Sequence, residues 1–279
     1  MATPGSNPIL PKGIGSVIAI ASGKGGVGKS TTTVNLAVQL QKTGARVGIV
    51  DADVYGPNIP MMMGIPETER PCVTPEQHLI PFENHGVQVM SIGFLVEPGK
   101  AVIWRGPMLH GIIRQFLNSV EWGELDYLLV DLPPGTGDAS LSLVQTVPLS
   151  GAVIVTTPQQ VAQSDVRRSI AMFNDVRVPL LGLIENMSGL ECPHCHKDIA
   201  LFEGDGGRLL SKEYAMPLLG KVPFDSSVGK AGDIGTPISI SQPQSTQAQA
   251  FRQTAESVIA RVRILQSEAE HAQPEIQIG

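Results

Sequence analysis

The run SVIAIASGKGGVGKSTTTVNLAVQL, residues 16–40, constrains the fold more than any other stretch. A short apolar segment, SVIAIAS (16–22), ends at a cluster of glycines and passes directly into residues with helical spacing. The cluster, GKGGVGKS (23–30), matches G-x-x-x-x-G-K-[ST], a loop that needs a strand before it and a helix after it. Glycines there let backbone N–H groups turn inward on phosphate oxygens, and the helix start presents its positive end to the same anion. Gly23, Lys24, Gly25, Gly26, Val27, Gly28, Lys29, Ser30 and Thr31 are therefore the candidate nucleotide-binding residues. Lys29 is expected to bridge the β- and γ-phosphates of ATP. The Ser30 hydroxyl is expected to coordinate Mg²⁺, with Thr31 near the α-phosphate.

The remaining pattern repeats this strand–helix alternation. Strands are predicted at 16–22, 45–53, 86–94, 126–135, 151–158, 179–187 and 217–223. Helical spacing appears over 29–43, over 106–120 with Met108, Ile112, Phe116 and Val120 on one stripe, and over about 245–267 with Phe251, Ala255, Val258, Val262 and Leu265. Such alternation predicts an α/β fold with a doubly wound, mostly parallel sheet. Apolar residues make up 42% and aromatics only 4%, so Val, Ile and Leu must fill the core. Residues 1–15 read as a flexible lead-in, 16–267 as one nucleotide-binding domain, and 268–279 as a mobile acidic tail.

Three aspartates fall at predicted strand ends: Asp51 and Asp53 after the second strand and Asp131 after the fourth. Ligands of open parallel sheets sit beyond the carboxyl ends of the strands, so all three are expected on the side of the glycine loop. Asp131 suits a Walker-B role, holding a metal-bound water, and Asp51 the edge of the metal's water shell. Gly135, in DLPPGTGD, suits a turn that senses the γ-phosphate through its N–H.

The chain has three cysteines, Cys72, Cys192 and Cys195. An odd, low count gives no disulfide framework. The stretch GLECPHCHKD (189–198) holds a C-x-x-C pair in a polar loop, with His194 and His196 beside it. The pair is compatible with a redox couple, with half a zinc site, or with two of the four thiolates of an iron–sulfur cluster. Two thiolates per chain do not close a four-thiolate site, but a two-fold dimer axis brings Cys192 and Cys195 beside their copies.

The loop SGKGGVGKST resembles the deviant Walker A motif of the SIMIBI-class ATPases, which include the nitrogenase iron proteins and the MinD/ParA ATPases. That resemblance implies a second, trans-acting lysine, and Lys24 holds its position: it would reach the nucleotide of the other subunit in a homodimer. It also implies that Asp53 orients the attacking water, that Asn186 in ENMS contacts adenine, and that Pro223 in VPFD belongs to a second base-contacting loop. DADVYGPNIP, WRGPM (104–108), VDLPPGTGD, ENMS with CPHC, and VPFD together resemble the Mrp/ApbC/Nbp35 family over about residues 15–265. Membership implies ATP hydrolysis and a labile [4Fe–4S] cluster bridging a homodimer, received from a donor and passed to apo iron–sulfur proteins.

The formal charge of −6 argues against a nucleic-acid partner, and no apolar window approaches the length needed to span a membrane. The first residues hold no apolar core of a secretory signal, which favours the cytoplasm. Two alternatives stand beside the carrier: a MinD/ParA-like partition ATPase, and an ATPase whose cysteine pair is a structural zinc site. The partition reading sits poorly with an acidic C-terminus and has no use for CPHC.

Overall fold

The computed structural model describes residues 10–96, 106–192, 194, 195, 197–202 and 204–271. Residues 1–9, Trp104, Arg105, His196 and 272–279 lie outside the described residues. The elements follow in the order β1 (Val17–Ser22), α1 (Lys29–Lys42), β2 (Val47–Asp51), α2 (Ile59–Met62), β3 (Phe82–Asn84), β4 (Val87–Ser91), α3 (Gly106–Asn118), β5 (Tyr127–Asp131), α4 (Asp138–Thr146), β6 (Gly151–Thr156), α5 (Gln160–Asp175), β7 (Leu180–Asn186), β8 (Leu190–Glu191), β9 (Asp198–Ile199), α6 (Gly206–Glu213), β10 (Leu218–Val222), α7 (Ser226–Asp233), α8 (Ile238–Ser241) and α9 (Thr246–His271).

Every residue of β1, β2 and β6 is buried, as expected of parallel strands covered on both faces. The strands form one sheet in the order β10-β7-β6-β1-β5-β2-β4-β3. All neighbours are parallel except β3 and β4. From β1 the chain goes to β2 on one side, returns through β5 between them, and then builds outward through β6, β7 and β10 on the other. The carboxyl end of β1 is thus the point where strand order reverses, where open α/β sheets leave a crevice. The glycine loop occupies it.

Helices flank the sheet. α1 packs against β1, β2 and β5, α5 against β1 and β6, and α9 against α1, β7 and β10. The stripe predicted on the last helix is real: Phe251, Ala255, Val258 and Val262 are buried. That helix continues past 267 to His271, so the first part of the acidic tail is helical.

Three expectations change. Met108, placed on the inner stripe of α3, is 51% exposed and Ile112 is half-buried; Leu109 and Ile113, each one position further along, join the predicted Phe116 and Val120 on the buried face. The third predicted strand, 86–94, is a shorter strand, β4, that ends at Ser91 in a helical turn (Ile92–Leu95), and an unpredicted strand, β3, precedes it. Asn84-His85-Gly86-Val87 forms a two-residue hairpin with both central φ positive (53° and 72°), which reverses the chain and adds β3 as an antiparallel edge. Residues 10–15 do not all stand apart as a lead-in: Ile14 is buried, the Gly15 N–H donates to Leu125 O, and the Leu125 N–H donates to Gly13 O.

Candidate functional site

One lysine and two carboxylates meet where β1, β2 and β5 end. Lys29 opens α1 and is only 6% exposed. Its Nζ lies 2.6 Å from Asp131 Oδ2 and 3.3 Å from Asp53 Oδ2. The same Oδ2 of Asp131 accepts the Ser30 hydroxyl at 2.6 Å, and Oδ1 accepts the Thr33 hydroxyl at 2.6 Å. Asp131 therefore fixes the first turn of α1 through three side chains. Burial pulls the Lys29 ammonium down, but Asp131 and then Asp53 outweigh it and hold its pKa above the ordinary lysine value. Asp53 is raised by burial despite Lys29, which acts the other way. An ammonium held charged inside a wall of carboxylates and glycine amides is a binding group for a polyanion.

Asp51 does not reach this space. It is fully buried, and its carboxylate accepts the Ser91 hydroxyl at 2.9 Å, the Asp53 N–H at 3.2 Å and the Ile59 N–H at 3.3 Å. Burial, and next the neighbouring Asp131, push its pKa up to about 8. Asp51 ties β4 and α2 to the segment that carries Asp53.

A cavity of ≈ 370 Å³ opens over the loop, a size typical of small-ligand sites. Gly25, Gly26, Gly28, Lys29, Ser30 and Thr31 form its floor, and Asp53, Tyr55, Asn58 and Pro134 its sides. Gly26 and Gly28 have φ of 79° and 82°, where a side chain would be strained. Gly23 serves a different need: a Cβ there would lie 2.5 Å from the backbone of Asp165 in α5. Val27 is buried, and its carbonyl accepts the Asn186 amide at 2.9 Å.

Lys24 lines the same cavity, and its Nζ donates to Gln159 Oε1 at 3.0 Å. Gln159 immediately precedes α5. The Gly135 N–H donates to Ser22 O at 2.9 Å, so the group expected to sense phosphate is committed to the end of β1 in this arrangement. Asn186 ends β7 and turns its amide toward the glycine loop. Pro223 is half-buried beside it, where Ser188 N–H donates to Val222 O and Phe224 N–H to Gly189 O.

The segment 189–198 is not an irregular loop. β8 and β9 pair as a small antiparallel hairpin, Leu190 with Ile199 and Glu191 with Asp198. Cys192 is half-buried and Cys195 exposed, both as free thiols near its tip. The Cys192 thiol is held below the usual value first by the His194 N–H, then by the N–H and side chain of Cys195. The two sulfur-bearing residues thus converge. Among the described residues no three His, Cys, Asp or Glu side chains gather to hold a metal within one chain.

Thr33 and Gln159 were not singled out from sequence. Thr33 had a signal, lying one helical turn beyond Lys29 on the same face. Gln159 had none, because it follows a different strand.

A family model described as ParA: NUBPL iron-transfer P-loop NTPase matches residues 13–259. An iron–sulfur cluster carrier protein of Synechocystis sp. is 52% identical over 250 residues, covering 88% of this chain and 71% of that one. The iron–sulfur cluster transfer protein NUBPL of Mus musculus is 46% identical over 262 residues, covering 93% and 81%. A nucleotide-binding protein from Archaeoglobus fulgidus, solved in complex with ADP, superposes with a TM-score of 0.71 at 44% identity, over 80% of this chain and 87% of that one. These likenesses favour the carrier over the partition-ATPase alternative. With its glycine loop, Lys29–Asp131 pair and cysteine hairpin in place, the chain belongs to the ParA/NUBPL iron-transfer family of P-loop NTPases.

Proposed function

We propose that the protein is an ATP-hydrolysing carrier that holds a [4Fe–4S] cluster across a homodimer and delivers it to apo iron–sulfur proteins. The observation that carries this reading is the hairpin: two free thiols near its tip, with no third ligand grouped beside them among the described residues. A two-fold axis through this tip supplies the other two thiolates. An exposed tip also suits a cargo that must be received from a donor and released.

The nucleotide half follows from the loop. Glycine amides and the α1 N-terminus receive the phosphates, and Lys29 neutralises their charge. Ser30 and Asp131 present hard oxygen donors already linked by a hydrogen bond, and these two residues would hold Mg²⁺. Bound magnesium would neutralise charge on the β- and γ-phosphates. Asp53, on the cavity wall with one oxygen toward Lys29, orients the attacking water. Lys24 acts on the partner subunit's nucleotide, stabilising charge on the transferring phosphoryl group. One domain over residues 16–267 carries both functions. Three free thiols suit a reducing compartment, and we place the protein in the cytoplasm. No helix among the described residues is long and apolar enough to cross a membrane.

Transfer tests the reading directly. Reconstituted protein is incubated anaerobically with an apo-enzyme that needs a four-iron cluster, in the presence of a chelator that traps free iron. Recovery of that enzyme's activity is expected from the wild type and not from Cys192→Ala/Cys195→Ala. Equal recovery from both would remove the carrier function.

A further inference from the structure

Val27 and Gly28 share one peptide unit, and a trans peptide points its carbonyl oxygen and its amide hydrogen to opposite edges. Asn186 Nδ2 holds the oxygen at 2.9 Å. The Gly28 N–H is thereby turned away from Asn186, and Gly28 lines the cavity. The contact is close: a Cβ on Gly28 would sit 2.2 Å from Asn186 Nδ2. Asn186 itself is only 8% exposed, so little room exists for its amide to swing aside.

The same residue ends β7 and starts the path to the cysteines. Met187 turns the chain with a φ of 55°. Ser188 N–H then donates to Val222 O at 3.0 Å, and Gly189 O accepts the Phe224 N–H at 2.7 Å. These two bonds clamp the segment to the end of β10. β8 follows at once, and Cys192 N–H closes the hairpin on Lys197 O at 2.9 Å. No slack loop separates the Asn186 amide from the first cysteine.

We infer that Asn186 is a positioning residue that aims the Val27–Gly28 peptide at a phosphate oxygen and passes phosphate occupancy to the cysteine hairpin. Hydrogen bonds at the two ends of one peptide polarise it and strengthen each other. A phosphate on the Gly28 N–H therefore tightens the Val27 carbonyl onto Asn186, at the root of the hairpin. Linkage makes the effect reciprocal, so the state of the hairpin alters phosphate affinity by the same factor. This role differs from an adenine contact, because it acts through the phosphate and not the base. It rests on the nucleotide reading of the loop and is independent of what the cysteines carry.

The experiment uses cluster-free, reduced full-length protein, wild type beside Asn186→Ala and the milder Asn186→Ser. Thermal melts confirm that each variant is folded. Affinity is measured for magnesium ATP and for magnesium tripolyphosphate, which has no base. Iodoacetamide labelling rates at Cys192 and Cys195 are measured with and without saturating amounts of each. Asn186→Ala is expected to weaken both ligands by the same factor, about fivefold to tenfold for one lost hydrogen bond. In the wild type both ligands are expected to change the labelling rate by about twofold or more, and Asn186→Ala to abolish that change at saturation. A loss confined to ATP would show a base contact and overturn the inference. So would a wild type whose labelling ignores both ligands, or a variant that keeps the full response. Failure of the protein to bind a cluster would sink the carrier reading and leave these outcomes unaffected.

Discussion

Lys29 Nζ and Asp131 Oδ2 lie 2.6 Å apart in the interior, and the same carboxylate oxygen holds the Ser30 hydroxyl at 2.6 Å. One side chain from β5 therefore sets both the cation proposed to bind phosphate and the hydroxyl proposed to bind magnesium. Asp131→Asn keeps the shape and removes the charge that compensates a buried ammonium. Stability is expected to fall by about 3 kcal/mol, moderated by the remaining Asp53. Urea denaturation measures this, and ATP turnover in the same variant is expected to drop at least about a hundredfold.

Lys29→Ala separates the two halves of the molecule. It removes the buried cation that opens α1, keeps Lys24, and leaves the hairpin at 190–199 unchanged. Titration calorimetry is expected to show ATP binding lost, while iron binding at Cys192 and Cys195 persists. ATP turnover at the wild-type rate in this variant would remove the site assignment.

Lys24 rests on Gln159 at 3.0 Å, and its proposed work is on the partner's nucleotide. Mixing variants tests this. Lys24→Ala and Lys29→Ala are each expected to be inactive as ATPases. In a mixed dimer, the site that retains Lys29 faces a partner that retains Lys24. An equimolar mixture is expected to recover roughly a quarter of wild-type turnover, one live site in half of the dimers. No recovery under conditions where subunits exchange would place the action of Lys24 within its own subunit.

Asp51 gives a pH signature. Its pKa rises from 3.8 to about 8 on folding, first through burial and then through Asp131. Between those values the folded chain holds a proton that the unfolded chain has released. Stability must therefore fall as pH rises from about 4 to about 8. Asp53, also raised by burial, acts in the same direction. Melting temperatures of metal-free protein are expected to decline across this window, and Asp51→Asn to flatten the decline. A variant whose melts track the wild type at every pH would assign the trend elsewhere.

Much of this was legible in the sequence because the signals are local. The glycine loop lies between its strand and helix as the motif demands, and Lys29, Ser30 and Thr31 stand on its cavity. The apolar runs became buried parallel strands, and the α9 stripe became its packing face. What escaped depends on pairs distant in the chain. Asp51 looked like Asp53 at a strand end, but Ser91 and the Ile59 N–H enclose it. The partner that the Gly135 N–H has in this arrangement, Ser22 O, is likewise distant in the chain. Gln159 carries no motif and gains its meaning only from Lys24. The hairpin at the cysteines was hidden because its two strands are two residues each, too short for any periodicity.

The most direct measurement is iron and acid-labile sulfide per protomer after anaerobic reconstitution, with oligomer mass in the same run, for the wild type and for Cys192→Ala/Cys195→Ala. About two iron and two sulfide per protomer in a dimer, lost in the double variant, is the expected result for one four-iron cluster shared by two chains. Zinc in place of iron, or a dimer that holds no metal, would contradict it and leave an ATPase whose cysteine hairpin is structural.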